Sequence, residues 1–415
     1  MSPPGTVVVV GTGQGGFQAA ASLRDEGYAG DIVLVGDEPG LPYQRPPLSK
    51  AYLSGKSDAE SLTFRAEGFY ADHGIQIRPG ERVAAIDRAA RQVRLSTGAT
   101  LGYDYLVLAT GARNRLLPVP GAELDGVRQL RSLADAEAIR VRLPEIRRAV
   151  VVGAGFIGLE FAAVAAARGI DVTVLEATAR PMSRAISPPM SQFFSEWHEA
   201  AGVQIEPGAV VTRVIGKNGQ AVGVETADHR VFPADLVLVA IGIMPNVEIA
   251  ADAGLPIANG IVVDEYLLTA DPGISAIGDC AVYPSPFAGG APTRLESVQN
   301  ALDHARCVAA RLVGKPAPYA AVPWFWSDQG PLKLQIAGIA TAHEMAVVRG
   351  DPASGAFSVF CYEGDRLAGV ESVNRPADHM AARRLLAGRI ALEPDEAADP
   401  AFDLKARANA VPVAA

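Results

Sequence analysis

The chain has 415 residues, of which 49% are hydrophobic, and a formal net charge of -9. That length and apolar content support two or three domains with cores of their own. The acidic balance excludes broad nucleic-acid binding but leaves room for a local basic patch that docks an acidic partner.

Three cysteines, Cys280, Cys307 and Cys361, stand far apart, which argues against a disulfide framework and against a dithiol redox centre. The six histidines, His73, His198, His229, His304, His343 and His379, share no ligand spacing, so no metal site is expected. No uninterrupted apolar run of about 18 residues occurs, and the N-terminus lacks a leader pattern, so a cytoplasmic protein without membrane association is expected.

In chain order, "TVVVVGTGQGGFQAAASLRDEGYAGDIVLVGDE" reads as strand, glycine turn, alanine-rich helix and second strand. Gly11, Gly13 and Gly16 have the G-x-G-x-x-G spacing of a dinucleotide fingerprint. The first permits the tight turn, the second lets backbone approach a pyrophosphate, and the third lets helix and strand pack closely. The helix N-terminus then offers free amides and a favourable dipole to the phosphates. Asp37 or Glu38 ends the second strand, placed for a ribose hydroxyl; Asp37 is the favoured candidate. The loop "GLPYQRPPLSK" follows, with Arg45, Pro46 and Lys50 but no sulfur.

The strand "YDYLVLATGA", ending at Thr110 and Gly111, leads towards a repeat of the whole unit, "AVVVGAGFIGLEFAAVAAARGIDVTVLEAT". Here Gly153, Gly155 and Gly158 make the turn and Glu176 ends the second strand. Two such units predict two bound dinucleotides. A carboxylate at the ribose 2'-hydroxyl repels a 2'-phosphate, so Glu176 selects NAD over NADP, with Arg180 and Arg184 close downstream as a counterweight. Glu160 sits among Phe156, Ile157, Leu159 and Phe161, where an unpaired carboxylate is costly; it either finds a partner or complements the helix dipole.

A second returning strand, "PADLVLVAIGIMPN", contains Gly242, and "TADPGISAIGDCA" delivers Gly278 and Asp279. Asp279 could bind a polyol or cap the next helix. That helix carries Arg306 and Arg311, flanked by Arg294 and Lys315, and the sequence closes with strand-like stretches beginning at "VPWFWSDQ". The tail after about residue 395 has the composition of a loosely ordered segment.

Taken together, the two fingerprints, "PPLSK", "LVLATGA", "AIGDCA", "RLESVQNALDHARCVAARLVGK" and "PWFWSDQ" resemble the FAD-dependent, NADH-using ferredoxin reductases from about residue 6 to residue 375. The resemblance implies an α/β fold with two Rossmann-like dinucleotide-binding domains of the glutathione-reductase type and a small α/β C-terminal domain. Residues 1–112 and 243–318 would bind FAD, 113–242 would bind NAD, 319–395 would form the interface domain, and 396–415 the tail.

It further implies that Gly15 and Gly16 meet the FAD pyrophosphate, Asp37 its ribose and Asp279 its ribitol. Val83, Arg131 and Val298 would contact FAD, although they read equally as a buried strand residue, a surface arginine and a helix core residue. Arg45 and Pro46 would wall the flavin ring, with a solvated cation as the alternative for Arg45. Trp326 would lie near the flavin on the acceptor side or, like Trp324, be an ordinary core aromatic. In the family the acid matching Glu160 pairs with the lysine matching Lys50 beside the reacting ends of both cofactors.

The implied activity passes electrons from NADH through FAD to an acidic [2Fe-2S] ferredoxin that supplies a cytochrome P450 or a dioxygenase. Arg306 and Arg311 are candidates for docking it, against the plainer reading of a solvated helix face. A rubredoxin reductase, or a redox-sensitive binding flavoprotein like apoptosis-inducing factor, is the competing reading. NADH oxidases and peroxidases rely on a cysteine in the loop that here lacks one.

Overall fold

Short continuous apolar runs suit strands buried on both faces, as in a parallel sheet covered by helices. In the computed structural model, which describes residues 5–341 and 343–410, the run Val7–Val10 is such a strand, and Val7, Val8 and Val9 are fully buried. Ile32–Gly36 and Tyr105–Leu108 flank it in parallel, with Val9 opposite Leu34 on one side and Val107 on the other. Ile75–Pro79 and Ile274–Ala276 complete the five strands, one at each edge.

The duplication seen in the sequence is a duplication of topology. Arg148–Val152 lies between Asp171–Glu176 and Leu236–Val239, all parallel, with Val203–Pro207 and Val127–Arg128 at the edges. In each sheet the central strand leads through a glycine turn into a helix, Gln14–Asp25 or Phe156–Ala166. That helix returns to the strand on one side, and the strand on the other comes from much later in the chain.

The chain divides into two compact units. The first comprises Met1–Arg45, Ala59–Arg113 and Met244–Ala321, and contains the first sheet; the second comprises Pro46–Asp58, Asn114–Ile243 and Val322–Ala415, and contains the second. Two boundaries differ from the sequence expectation. Residues 46–58 belong with the second unit because the short helix Pro46–Ser49 packs on the helix Phe156–Ala166. The C-terminal strands share that unit as well, held by buried polar contacts described below.

Those strands form a five-stranded antiparallel sheet in the order Trp324–Gln329, Leu332–Gly338, Arg366–Val373, Phe357–Glu363, Met345–Arg349. The helix Pro376–Gly388 packs on two of them. The expected loose tail is packed through residue 410, and residues 411–415 lie outside the described residues. Arg349, 4% exposed, explains this: its guanidinium donates to the carbonyls of Ala397, Asp399, Pro400 and Phe402, so a buried cation organises backbone that composition alone reads as unstructured.

No helix among the described residues is long and apolar enough to cross a membrane, and among those residues no group of three His, Cys, Asp or Glu side chains is placed to hold a metal ion.

Candidate active site

The two glycine turns share one backbone pattern. Gly11 has φ +112° and Gly153 +103°, a region closed to most L-residues. A Cβ on Gly16 would stand 1.7 Å from the carbonyl oxygen of Gly11, and one on Gly158 2.2 Å from that of Gly153, so neither position tolerates a side chain. The middle glycine differs in kind. Nothing lies within 4 Å of a Cβ on Gly13, and at Gly155 the nearest atom is 3.9 Å away. A side chain there would therefore project into open space that a diphosphate can use.

The helices starting at these turns have no side-chain N-cap and no acid in the first turn. By contrast, the helices Leu133–Arg142, Pro188–Ala200 and Val298–Leu312 are each capped by a serine, Ser132, Ser187 and Ser297. Only the fingerprint helices among these five keep free amides and an unneutralised positive end, the arrangement that takes a phosphate. Each turn thus fits a diphosphate, the group that FAD and a nicotinamide nucleotide share.

At the strand ends, Glu38 is occupied: it accepts from the Tyr43 hydroxyl at 2.5 Å and pairs with Arg45. Asp37 beside it is exposed, which supports the preference for Asp37 as the ribose ligand. Arg45 is no loose surface cation, since it also stacks 5.3 Å from the Tyr43 ring centre. In the second unit Glu176 accepts from the Ala154 amide at 2.7 Å and from the amide and hydroxyl of Thr178, both at 2.8 Å. The acid is thereby held against its own glycine turn. Arg180 is committed to the carbonyls of Ser183 and Ile186, while Arg184 is exposed and approaches Gly242, whose Cβ would lie 3.7 Å from its guanidinium.

Within the first unit, the Thr110 hydroxyl donates to the Asn246 carbonyl at 2.7 Å, and Gly111 turns the chain with φ +62°. The Gly278 amide donates to Nδ1 of His304 at 3.2 Å, fixing the turn that presents Asp279. His304 is fully buried between Tyr283 and Tyr319, and burial depresses its pKa to about 3. Val83 is buried in the core, Val298 opens the helix Val298–Leu312 half-exposed, and a Cβ on Gly15 would stand 3.5 Å from Ile277 Cδ1. Pro46, Lys50, Arg131 and Trp326, assigned to FAD by resemblance, belong to the second unit. Trp326 is half-exposed there, 5.7 Å from Trp324 between ring centres, and Arg131 precedes the Ser132 cap of the helix Leu133–Arg142.

That unit contains the pair expected from sequence. Lys50 Nζ lies 2.7 Å from Glu160 Oε2, and the glutamate side chain is 2% exposed. Two donors that the sequence reading did not single out complete the shell. The Ser49 hydroxyl donates to the same oxygen at 2.5 Å and the Ser327 hydroxyl to Oε1 at 2.6 Å. Ser327 is 167 positions from Glu160, so no local pattern could have found it; Ser49, next to Lys50, was at least adjacent to the motif. Each carboxylate oxygen is thus bonded, as a buried charge requires. Ile157, one turn before the acid, is an exposed large apolar side chain beside the glycine turn, suited to contact a nucleotide.

Of the docking candidates, Arg306 is exposed and forms an ion pair at 3.0 Å with Asp303 on its own helix. Arg311 is not turned outward as expected: its guanidinium donates to the hydroxyls of Tyr105 and Ser275 and stacks 5.1 Å from the Tyr105 ring centre. A tyrosine and a serine from the sheet beneath the helix capture it. The cysteines are free, and burial raises the thiol pKa of all three, Cys280, Cys307 and Cys361.

Comparison with known proteins gives the same answer from outside. Residues 5–305 match the family model for pyridine nucleotide-disulphide oxidoreductases, and residues 324–408 match that for the reductase C-terminal region. Rhodocoxin reductase of Rhodococcus erythropolis is 54% identical over 96% of this chain and 93% of its own length. The ferredoxin reductase for the CYP199A2 system from Rhodopseudomonas palustris superposes with a TM-score of 0.95 at 50% identity, covering 97% of this chain and 99% of that one. The covalent putidaredoxin reductase-putidaredoxin complex gives a TM-score of 0.95 at 43% identity, covering 99% of each chain. This chain belongs to the pyridine nucleotide-disulphide oxidoreductase family, whose members of this type use FAD and a nicotinamide nucleotide.

Proposed function

We propose that the protein is a cytoplasmic NADH-dependent ferredoxin reductase that passes electrons through FAD to a [2Fe-2S] ferredoxin serving a P450 or a dioxygenase. The observation that carries this reading is the buried Lys50–Glu160 pair, formed by a loop that contains no cysteine, in a chain similar along nearly its full length to rhodocoxin reductase. Bound at these residues, FAD would supply the chemistry of taking a hydride from NADH and passing on single electrons.

The chain's own residues do the rest. Gly11, Gly13, Gly15 and Gly16, the uncapped helix Gln14–Asp25, Asp37 and Asp279 would hold FAD, with Arg45, Pro46, Val83, Thr110, Gly111, Arg131, Gly278, Val298 and Trp326 around it. Gly153, Gly155, Ile157, Gly158, Glu176 and Gly242 would hold NADH. Glu160 fixes the Lys50 ammonium, and Lys50 would supply a preorganised cation and hydrogen-bond donor to the nicotinamide nucleotide when it is bound. Arg306 offers an exposed cation to an acidic ferredoxin, whereas Arg311 is committed to packing.

Addition of a [2Fe-2S] ferredoxin should convert slow NADH-dependent cytochrome c reduction into sustained turnover. Equal rates with and without any ferredoxin of a varied panel would sink the proposal.

A further inference from the structure

The Glu160 carboxylate is the end of a longer buried chain. Ser327, which donates to Glu160 Oε1 at 2.6 Å, accepts from Gln329 Nε2 at 3.3 Å. Gln329 Oε1 in turn accepts from His198 Nε2 at 2.7 Å. Ser327, Gln329 and His198 are fully buried, so no water competes for these groups. The direction of every bond is fixed by chemistry. An amide oxygen only accepts, so His198 donates through Nε2; the amide nitrogen only donates, so Ser327 accepts from it and spends its own proton on the carboxylate.

Three dipoles therefore point in series at Glu160, while its other oxygen faces Lys50 and Ser49. Such aligned donors polarise one another and fix the plane of the carboxylate they end on. The neighbours favour this orientation of the amide: Ser327 Oγ, its proton spent on Glu160, offers only lone pairs to Gln329, and Gln329 Nε2 also lies 3.7 Å from Met182 Sδ.

Strand geometry places the chain well. Successive side chains of Trp324–Gln329 alternate between faces, so Phe325, Ser327 and Gln329 share one face while Trp324 and Trp326 share the other. Ser327 and Gln329 are therefore successive inward positions of one strand.

We propose that Ser327 and Gln329, closed by His198, are positioning residues for hydride transfer: they hold Glu160 so that it aims the Lys50 ammonium. This inference rests on the proposed reductase reading. It assigns to the C-terminal sheet a part in the reaction with NADH, in addition to any part in meeting the electron acceptor.

The test is stopped-flow reduction of the FAD-loaded enzyme by NADH in Ser327→Ala, Ser327→Thr, Gln329→Met and Lys50→Ala. Losing one hydrogen bond to a charged group should cut the limiting rate in Ser327→Ala by about tenfold, with NADH affinity within about twofold of wild type. Ser327→Thr, which keeps the hydroxyl, should restore the rate, a rescue that a purely structural role would not show. Gln329→Met should slow it by a smaller factor and carries the test should Ser327→Ala not fold. If Lys50→Ala slows reduction while the Ser327 and Gln329 variants do not, this inference fails and the reductase reading stands. If none of the variants slows reduction, the role of the ion pair fails with it.

Discussion

Lys50 Nζ and Glu160 Oε2 are 2.7 Å apart although 110 positions separate them in sequence. The lysine side chain retains 18% exposure while the glutamate is almost wholly buried. The asymmetry defines the roles: Glu160 is an interior anchor with two serine hydroxyls around it, and Lys50 is a cation anchored at one end and presented at the other. Lys50→Ala leaves a buried carboxylate without its counter-charge, which costs about 3–5 kcal/mol when a buried pair is broken on one side. We expect flavin reduction by NADH to slow by about a hundredfold while FAD content is retained. Stopped-flow absorbance together with the flavin-to-protein ratio measures both, and an unchanged hydride-transfer rate would refute the pairing's role.

Glu176 should set the choice of nucleotide. Its hydrogen bonds to Ala154 and Thr178 hold a negative charge at the second glycine turn, hostile to a 2'-phosphate. In Glu176→Ala, kcat/KM for NADH should fall by about tenfold while that for NADPH rises. Steady-state kinetics with both nucleotides decides it; an unchanged ratio of the two would place the discrimination elsewhere.

Arg306 and Arg311 should separate. Reversal of the exposed Arg306 to glutamate should raise the KM for ferredoxin by about tenfold and leave NADH oxidation by small dyes unchanged. Arg311→Gln, which loosens contacts to Tyr105 and Ser275, should lower thermal stability instead. Equal loss of ferredoxin and dye activity in Arg306→Glu would remove its docking role.

Acid should destabilise the fold through buried imidazoles. Burial depresses His304 to about 3 and His379 to about 4, below their ordinary 6.5. Between those values and 6.5 the unfolded chain binds protons that the folded chain refuses, so stability falls as pH drops through this window, by about 2 kcal/mol per group at pH 5. Glu371 opposes this. Buried, and accepting from the amide and hydroxyl of Ser187, it is raised by burial from 4.5 to about 7, so its contribution is present at low pH and is lost as pH rises through 7. Glu371→Gln should therefore steepen the loss of melting temperature between pH 6.5 and 5. A melting temperature that stays flat over that range in both proteins would contradict the account.

Much of this was legible in the sequence because dinucleotide binding is written locally. Gly11, Gly13, Gly16 and Asp37, like Gly153, Gly155, Gly158 and Glu176, are spaced by the geometry of one strand, turn, helix and strand, and the structure has that strand, turn and helix in both places. The serine donors to Glu160 were not legible, since Ser327 arrives from another sheet and an isolated serine carries no periodic signal. Arg311 was misplaced for a related reason: helical spacing alone does not show that Tyr105 and Ser275 wait beneath it. The order of the tail depends on Arg349, an arginine whose strand position gives no hint of the carbonyls it binds.

The central claim is that electrons leave the flavin directly rather than through a thiol pair. Its most direct test is anaerobic double-mixing stopped-flow: bleach the FAD-loaded enzyme with one equivalent of NADH, then add an oxidised [2Fe-2S] ferredoxin. The account predicts rapid return of the flavin absorbance together with ferredoxin reduction, unchanged when Cys280, Cys307 and Cys361 are each replaced by alanine. Flavin that stays bleached with every ferredoxin tested, or reoxidation that loss of a cysteine abolishes while the variant stays folded and flavin-loaded, would contradict it.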